Sequence, residues 1–264
     1  PGVCAKDQND GMCLVALAWK SHPRWRLLLA GNRDEFHQRP AAALSRWPGP
    51  SGIQAGRDLQ SGGTWVGVDP QGRCAVVTNV RDPLAPATGA TSRGALPTGY
   101  LENRSTAATH ANELAAFAGE YAPFNLLLAD ATSCEYLGNH PRATRQTLTP
   151  GIHGMSNGSL DADWPKTRQL RAAIQAWSLT GATDPTPIWE ALANENLAPD
   201  GDLPDTGVDL ELERMLSPAF ISGPQYGTRA STLIAIDYEG RCWISERSFG
   251  PDVLFQGEAT LPIA

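Results

Sequence analysis

No apolar run in this 264-residue chain approaches the roughly 18–20 residues a helix needs to cross a bilayer, so no membrane span is expected. The first eleven residues also lack the charged and apolar regions of a signal peptide. A cationic surplus is missing as well: 21 Lys and Arg stand against 28 Asp and Glu, giving a net charge of −7 and a pI near 5.2. Affinity for a phosphate backbone comes from Lys and Arg, so a nucleic-acid partner is not expected. The cysteines, Cys4, Cys13, Cys74, Cys134 and Cys242, show no C-x-x-C spacing, which argues against a zinc knuckle and against a disulfide framework. A reducing, cytoplasmic setting is the expectation. His22, His37, His110, His140 and His153 lack H-E-x-x-H spacing, so neither a metal site nor a required cofactor is indicated. Gly67-Val68-Asp69-Pro70-Gln71-Gly72 reads as a hairpin turn, not as a phosphate-cradling loop that leads into a helix. Internal repeats and low-complexity segments are absent.

What is present suffices for a core. With 41% hydrophobic residues, the chain from Met12 to Ala264 reads as one large domain. Pro1–Gly11 has no periodicity and reads as an appended leader joined to a natural start at Met12. Strand-like pieces follow at 12–19, 26–31, 64–69 and 73–80. A helix is expected over 105–120 with Ser105 as cap, then strands at 124–129 and 134–137. A second helix starts near Trp164-Pro165 and places Leu170, Ile174 and Trp177 on one face. Shorter helices at 186–196 and 208–216 flank a loop over 199–207. Strands return at 231–236 and 241–246 around a Glu239-Gly240 turn. Strands and helices are segregated in blocks, which points to α+β with antiparallel sheets. Cys74, Cys134 and Cys242 sit beside strand-like residues and read as inert buried thiols.

Chemistry concentrates at Met12-Cys13. A cysteine directly behind a start methionine becomes the first residue once that methionine is trimmed. It then carries a thiol and a free α-amine whose reference pKa, about 7.7–8.0, lets it act as base. Four polar groups, Asn32-Arg33-Asp34-Glu35, follow the strand Arg26–Ala30, where a sheet is expected to open into a loop. Asn79 ends another strand, where a side-chain amide can donate to an oxyanion. Gly151-Ile152-His153-Gly154-Met155-Ser156-Asn157-Gly158 reads as a glycine-rich loop that approaches something closely, with His153 either in a site or satisfying a turn. Arg229 stands at a strand entrance, where it can hold a carboxylate or lower a thiol's pKa.

These segments, in this order, resemble the NRDE family, the transport-and-Golgi-organisation proteins. The matching motifs are Met12-Cys13-Leu14-Val15, Asn32-Arg33-Asp34-Glu35-Phe36 with Arg39-Pro40, Gly56-Arg57-Asp58-Leu59, and Gly62-Gly63-Thr64-Trp65-Val66-Gly67. Thr78-Asn79-Val80-Arg81, Ser92-Arg93-Gly94, His153–Asn157 with Trp164-Pro165-Lys166, and Gly227–Thr232 with Glu246–Phe249 complete the set. The resemblance implies an N-terminal-nucleophile hydrolase fold, a four-layer α-β-β-α sandwich of two stacked antiparallel sheets flanked by helices. It also implies roles: Cys13 as nucleophile, Arg33 beside its thiolate, Asp34 or Glu35 holding the α-amine, Asn79 and Asn157 as oxyanion donors, and Arg229 as a second basic group. Asn32, Trp65, Arg81 and His153 are carried over as substrate contacts. Two departures stand out. Twelve residues precede Cys13, which as given has an amide nitrogen, and Pro97 and Gly99 count against a helix in Ala95–Tyr100.

Two functions fit. In one, the Cys13 thiolate attacks a non-peptide amide of a small molecule. In the other, the fold binds a ligand without turnover; the family's link to haem movement makes haem, an anionic apolar ligand that Arg33 and Arg229 could meet, a candidate. Nothing in the pattern specifies an oligomeric state.

Overall fold

The computed structural model describes residues 11–84 and 91–263; the expected leader, Gly11 apart, and Cys4 lie outside the described residues. Alternation organises β1 (Met12–Trp19) and β2 (Trp25–Phe36). Val15, Leu17, Leu27 and Leu29 enter one core, while Leu14, Ala16, Leu28 and Ala30 enter another. The chain continues through β3 (Ala41–Arg46), β4 (Gln54–Asp58), β5 (Val66–Val68), β6 (Cys74–Asn79), α1 (Ala95–Glu102) and α2 (Ala107–Ala115). Next come β7 (Phe124–Ala129), β8 (Cys134–Gly138), β9 (Thr144–Thr147), β10 (Gly151–Met155), α3 (Pro165–Thr180), α4 (Thr186–Leu192) and α5 (Leu210–Met215). It closes with β11 (Tyr226–Asp237), β12 (Cys242–Phe249) and β13 (Phe255–Ile263).

One antiparallel sheet runs β10-β1-β2-β11-β12-β13 and the other β3-β4-β5-β6-β7-β8-β9. Val15, Leu17, Leu29, Val66, Val76, Leu127 and Ile234 fill the space between them. Leu170, Ile174 and Trp177 of α3 and Ile188 and Leu192 of α4 cover the outer face of the first sheet. Leu96, Tyr100 and Leu101 of α1, with Ala107 and Ala111 of α2, cover the second. The result is the expected α-β-β-α sandwich. No described helix is long and apolar enough to cross a membrane.

Several local expectations are corrected. Asn32–Phe36 is not a loop mouth but the last third of β2. Tyr226–Ser231 pairs with it on one side, and Met12–Leu14 pairs with Asn32–Asp34 on the other, so partner strands hold it extended despite its polar side chains. Gly151–Met155 is likewise a strand, paired with β1. Arg229 lies inside β11, at the bulge between Thr228 and Ala230. The helix expected over 105–120 stops at Ala115, its cap is Thr106, which accepts from the Thr109 N–H, and a separate 3₁₀ turn covers Ala118–Glu120. The helices expected over 186–196 and 208–216 are shorter than that, α4 and α5. Residues 95–100 do form a helix. Pro97 is its third residue, where the missing N–H would have no intrahelical partner in any case. The strands with no sequence signal are β3, β4, β9 and β13; β9 is exposed throughout, and β3, β9 and β13 are sheet edges.

Candidate active site

Cys13, the second residue of β1, faces the inter-sheet space opposite Arg33 of β2. A cleft of about 1240 Å³ opens above it, ample for a small molecule. Burial pushes the thiol up to about 12; Arg33 opposes the shift, and Asp34 and Glu35 add to it. The Cys13 carbonyl accepts from Ser156 Oγ at 2.8 Å, and the same hydroxyl is 3.1 Å from Asn157 Oδ1.

Strand alternation divides the polar run at the end of β2. Arg33 and Glu35 share the face of Cys13. Arg33 Nη2 lies 3.4 Å from Glu35 Oε2 and 3.5 Å from Asp58 Oδ2, and Arg39 Nε donates to Asp58 at 2.6 Å. Glu35 Oε1 accepts from the Phe36 N–H. Asp34 turns the other way, toward the helical layer. Its Oδ1 accepts from Thr228 Oγ1 at 2.7 Å, while Oδ2 is buried without a partner. Burial raises Asp34 to about 6, with buried Lys166 and the Thr228 hydroxyl opposing. Lys166 donates to the Leu216 carbonyl at 2.9 Å, and burial lowers it to about 8 against the pull of Asp34.

Asn79, at the end of β6, donates through Nδ2 to the Gly11 carbonyl. Asn157 Nδ2 donates to the Asn79 carbonyl at 3.2 Å, and the Arg81 N–H donates to the Asn157 carbonyl at 2.7 Å, so the two amides brace one corner of the cleft. The Arg81 guanidinium pairs with Glu213 at 2.8 Å and lies 3.8 Å from Met12 Sδ. Arg229 Nη1 holds the carbonyls of Phe36 and Arg39, both at 3.0 Å, and so fixes the turn out of β2. Trp65 is buried in the cleft wall.

Two expected contacts lie elsewhere. Asn32 faces the helices and donates to the carbonyls of Leu192 and Ala219 at 2.8 and 2.7 Å. His153 sits on β10 between Asp161 and the Thr149 carbonyl, both at 2.9 Å, away from the cleft. Neither side chain lines the cleft, although neighbours in both motifs do. Tyr226, Lys166, Ser156 and Glu246 are cleft or near-cleft groups to which the sequence reading gave no role. Tyr226 Oη accepts from the Met12 N–H at 2.9 Å, and Glu246, raised to about 7 by burial, accepts from the Leu44 N–H. Lys166, Ser156 and Glu246 stood within matched motifs, and that was their only signal.

A family model described as Transport and Golgi organisation 2 matches residues 12–251. The chain belongs to this family. Within the Transport and Golgi organisation 2 family, the human Transport and Golgi organization protein 2 homolog is 31% identical over 258 residues, covering 90% of this chain and 93% of its own. The Bos taurus homolog is 29% identical over 261 residues with the same coverage. Among solved structures, the Caenorhabditis elegans N-acylethanolamine-hydrolyzing acid amidase ortholog aligns with a TM-score of 0.50 at 12% identity, over 95% of this chain and 100% of that one. The shared fold is that of N-terminal-nucleophile hydrolases.

Proposed function

We propose that the protein is a cysteine N-terminal-nucleophile hydrolase that cleaves a non-peptide C–N amide of a small molecule, in a form whose chain begins at Cys13. One observation carries this reading: Cys13, second in β1, lies at the floor of the cleft, opposite Arg33 and beside the Asn79–Asn157 corner. With residues 11 and 12 in place, burial pushes the thiol up to about 12; in the freed form the α-amine supplies a base on the same residue.

In the proposed cycle the α-amine takes the thiol proton as sulfur adds to the carbonyl carbon, and the π pair moves to oxygen under donation from Asn79 and Asn157. Collapse reforms the carbonyl and breaks the C–N bond, and the leaving amine takes the proton from the α-ammonium. Water, deprotonated by the α-amine, then adds to the thioester and releases the acid and the thiol. Asp34 is the better candidate to hold the α-ammonium, because its Oδ2 is unpartnered while both oxygens of Glu35 are engaged.

The test is protein verified by mass to begin at Cys13, offered a panel of N-acyl amides. Turnover and an acyl adduct on Cys13 are expected, and both should vanish in Cys13→Ala. Activity surviving in the alanine variant, or neither turnover nor adduct across the panel, overturns the reading.

Ligand binding without turnover, with haem as the candidate ligand, is favoured by a different observation: with Gly11 and Met12 in place, Asn79 and Tyr226 are already engaged. The described cleft lining offers no histidine, leaving Met12, Cys13 and Met215 as sulfur ligands. A saturable spectral shift at micromolar haem is expected on this reading, and its absence removes it.

A further inference from the structure

Residues 11 and 12 are held in the cleft as a ligand would be. Each polar atom of the amide that joins them meets a side chain from a distant part of the chain: the Gly11 carbonyl accepts from Asn79 Nδ2, and the Met12 N–H donates to Tyr226 Oη. The Met12 side chain is buried in an apolar group of its own, with Leu216, Ile221, Leu212 and Tyr226, separate from the three layers of the main core. Arg81 closes the far end of this group against the Met12 sulfur. On the other side of the amide, space is short. A Cβ on Gly11 would lie 2.5 Å from Glu35 Oε2 and 2.9 Å from the Asp34 carbonyl oxygen.

When Cys13 becomes the first residue, that volume and its two hydrogen-bonding groups open to solvent at the nucleophile's own nitrogen. We propose that the space filled by Met12 is the amine-side subsite of the cleft, with Gly11 marking where the acyl group begins. It takes N-acyl amino compounds with an unbranched apolar side chain: the amide carbonyl on Asn79, the amide N–H on Tyr226, and the side chain among Leu212, Leu216 and Ile221. The acyl carbon next to the carbonyl must be unbranched, because Glu35 and the Asp34 backbone occupy the place of a branch. The inference rests on the hydrolase reading in taking Cys13 as the first residue of the working protein, and it assigns Tyr226 as the acceptor of the substrate's amide N–H.

The test uses the full chain with a site-specific protease sequence placed directly before position 13, folded intact, then cut and freed of the released segment. A Cys13→Ala background prevents turnover. In titrations, N-(3-methylthiopropyl)acetamide, which carries the methionine side chain and stops short of the nitrogen of residue 13, should bind the cut protein about tenfold or more tighter than N-ethylacetamide, which forfeits the apolar side chain. It should also bind tighter than N-(3-methylthiopropyl)isobutyramide, which is branched beside the carbonyl. The uncut chain should bind none of them. Leu216→Trp, which fills the subsite, should abolish the preference for the thioether side chain, and Tyr226→Phe, which removes the acceptor for an N–H that all three compounds share, should weaken all three alike, with melting curves confirming the fold. Equal affinity for the three compounds, no binding, or equal binding by cut and uncut protein overturns the inference. Selective binding in a protein whose Cys13 form hydrolyses no amide upholds the subsite and removes the hydrolase reading. Hydrolysis indifferent to the amine's side chain does the reverse.

Discussion

Asp34 and Lys166 are opposite charges buried behind Cys13, each shifted toward its neutral form mainly by desolvation and each pulled back by the other. Asp34 has a folded pKa of about 6 against an ordinary 3.8, so the folded state binds the extra proton between those values. Stability therefore falls as pH rises from about 4 to about 6, by an amount on the order of 3 kcal/mol, and Asp34→Asn should flatten that slope in denaturant titrations. Lys166→Met removes the largest opposing charge and moves Asp34 further up. If Asp34 holds the α-ammonium, the acidic limb of the kcat/KM profile then shifts to higher pH, and an unmoved limb would separate Lys166 from the chemistry. His153 runs the opposite way. Its hydrogen bond to Asp161 raises its pKa despite burial, so the pair's contribution is fully present below about 6.5 and is lost as pH rises through the raised folded value. Since Asp161 is about one-third exposed, His153→Gln should cost only ~0.5–1 kcal/mol at pH 5.5, less at pH 8, and leave the proposed hydrolysis unchanged.

At the scale of elements, β2 is the strand on which the site depends. It is paired with β1 from Leu27 to Asp34 and with β11 from Trp25 to Phe36, and Asn32 ties its outer face to the end of α4 and to Ala219. Asn32→Ala leaves two buried carbonyls without their donor, and a loss of about 2–4 kcal/mol in chemical denaturation is expected; wild-type stability would mean those carbonyls find other partners. The start of α1 packs with similar closeness on the turn between β4 and β5. A Cβ on Gly63 would sit 2.5 Å from the Gly94 carbonyl carbon and oxygen, backbone that cannot swing aside as a side chain can. Gly63→Ala should cost about 1–3 kcal/mol, read as a lowered melting temperature. The apolar strands and the amphipathic α3 were legible because their periodicity is local. The end of β2, the strand β10 and the edges β3, β9 and β13 were not, because their pairing partners, rather than their side chains, make them strands.

For the molecule as a whole, the sandwich buries Cys13, Cys74, Cys134 and Cys242, yet only Cys13 borders the cleft. Freeing the chain at Cys13 should therefore raise the alkylation rate of that thiol by iodoacetamide about tenfold or more, with the other three unmodified in the native protein. Peptide mapping by mass gives the answer, and equal reactivity before and after release would place the barrier elsewhere than in residues 11 and 12. The sequence by itself determined the elements with strong periodicity, the position of a cysteine behind a methionine, and the polar motifs around it, because each depends on residues close in the chain. Only the tertiary structure decided which face those motifs serve. It set Arg33 and Glu35 over the thiol and Asp34 against Lys166, withdrew Asn32 and His153 into structural contacts, and brought Tyr226 to residue 12 from 214 positions away. Strand alternation says only that neighbours point apart. Which side becomes the cleft is set by the sheet that stacks against them, and that contact is made between segments no local pattern connects.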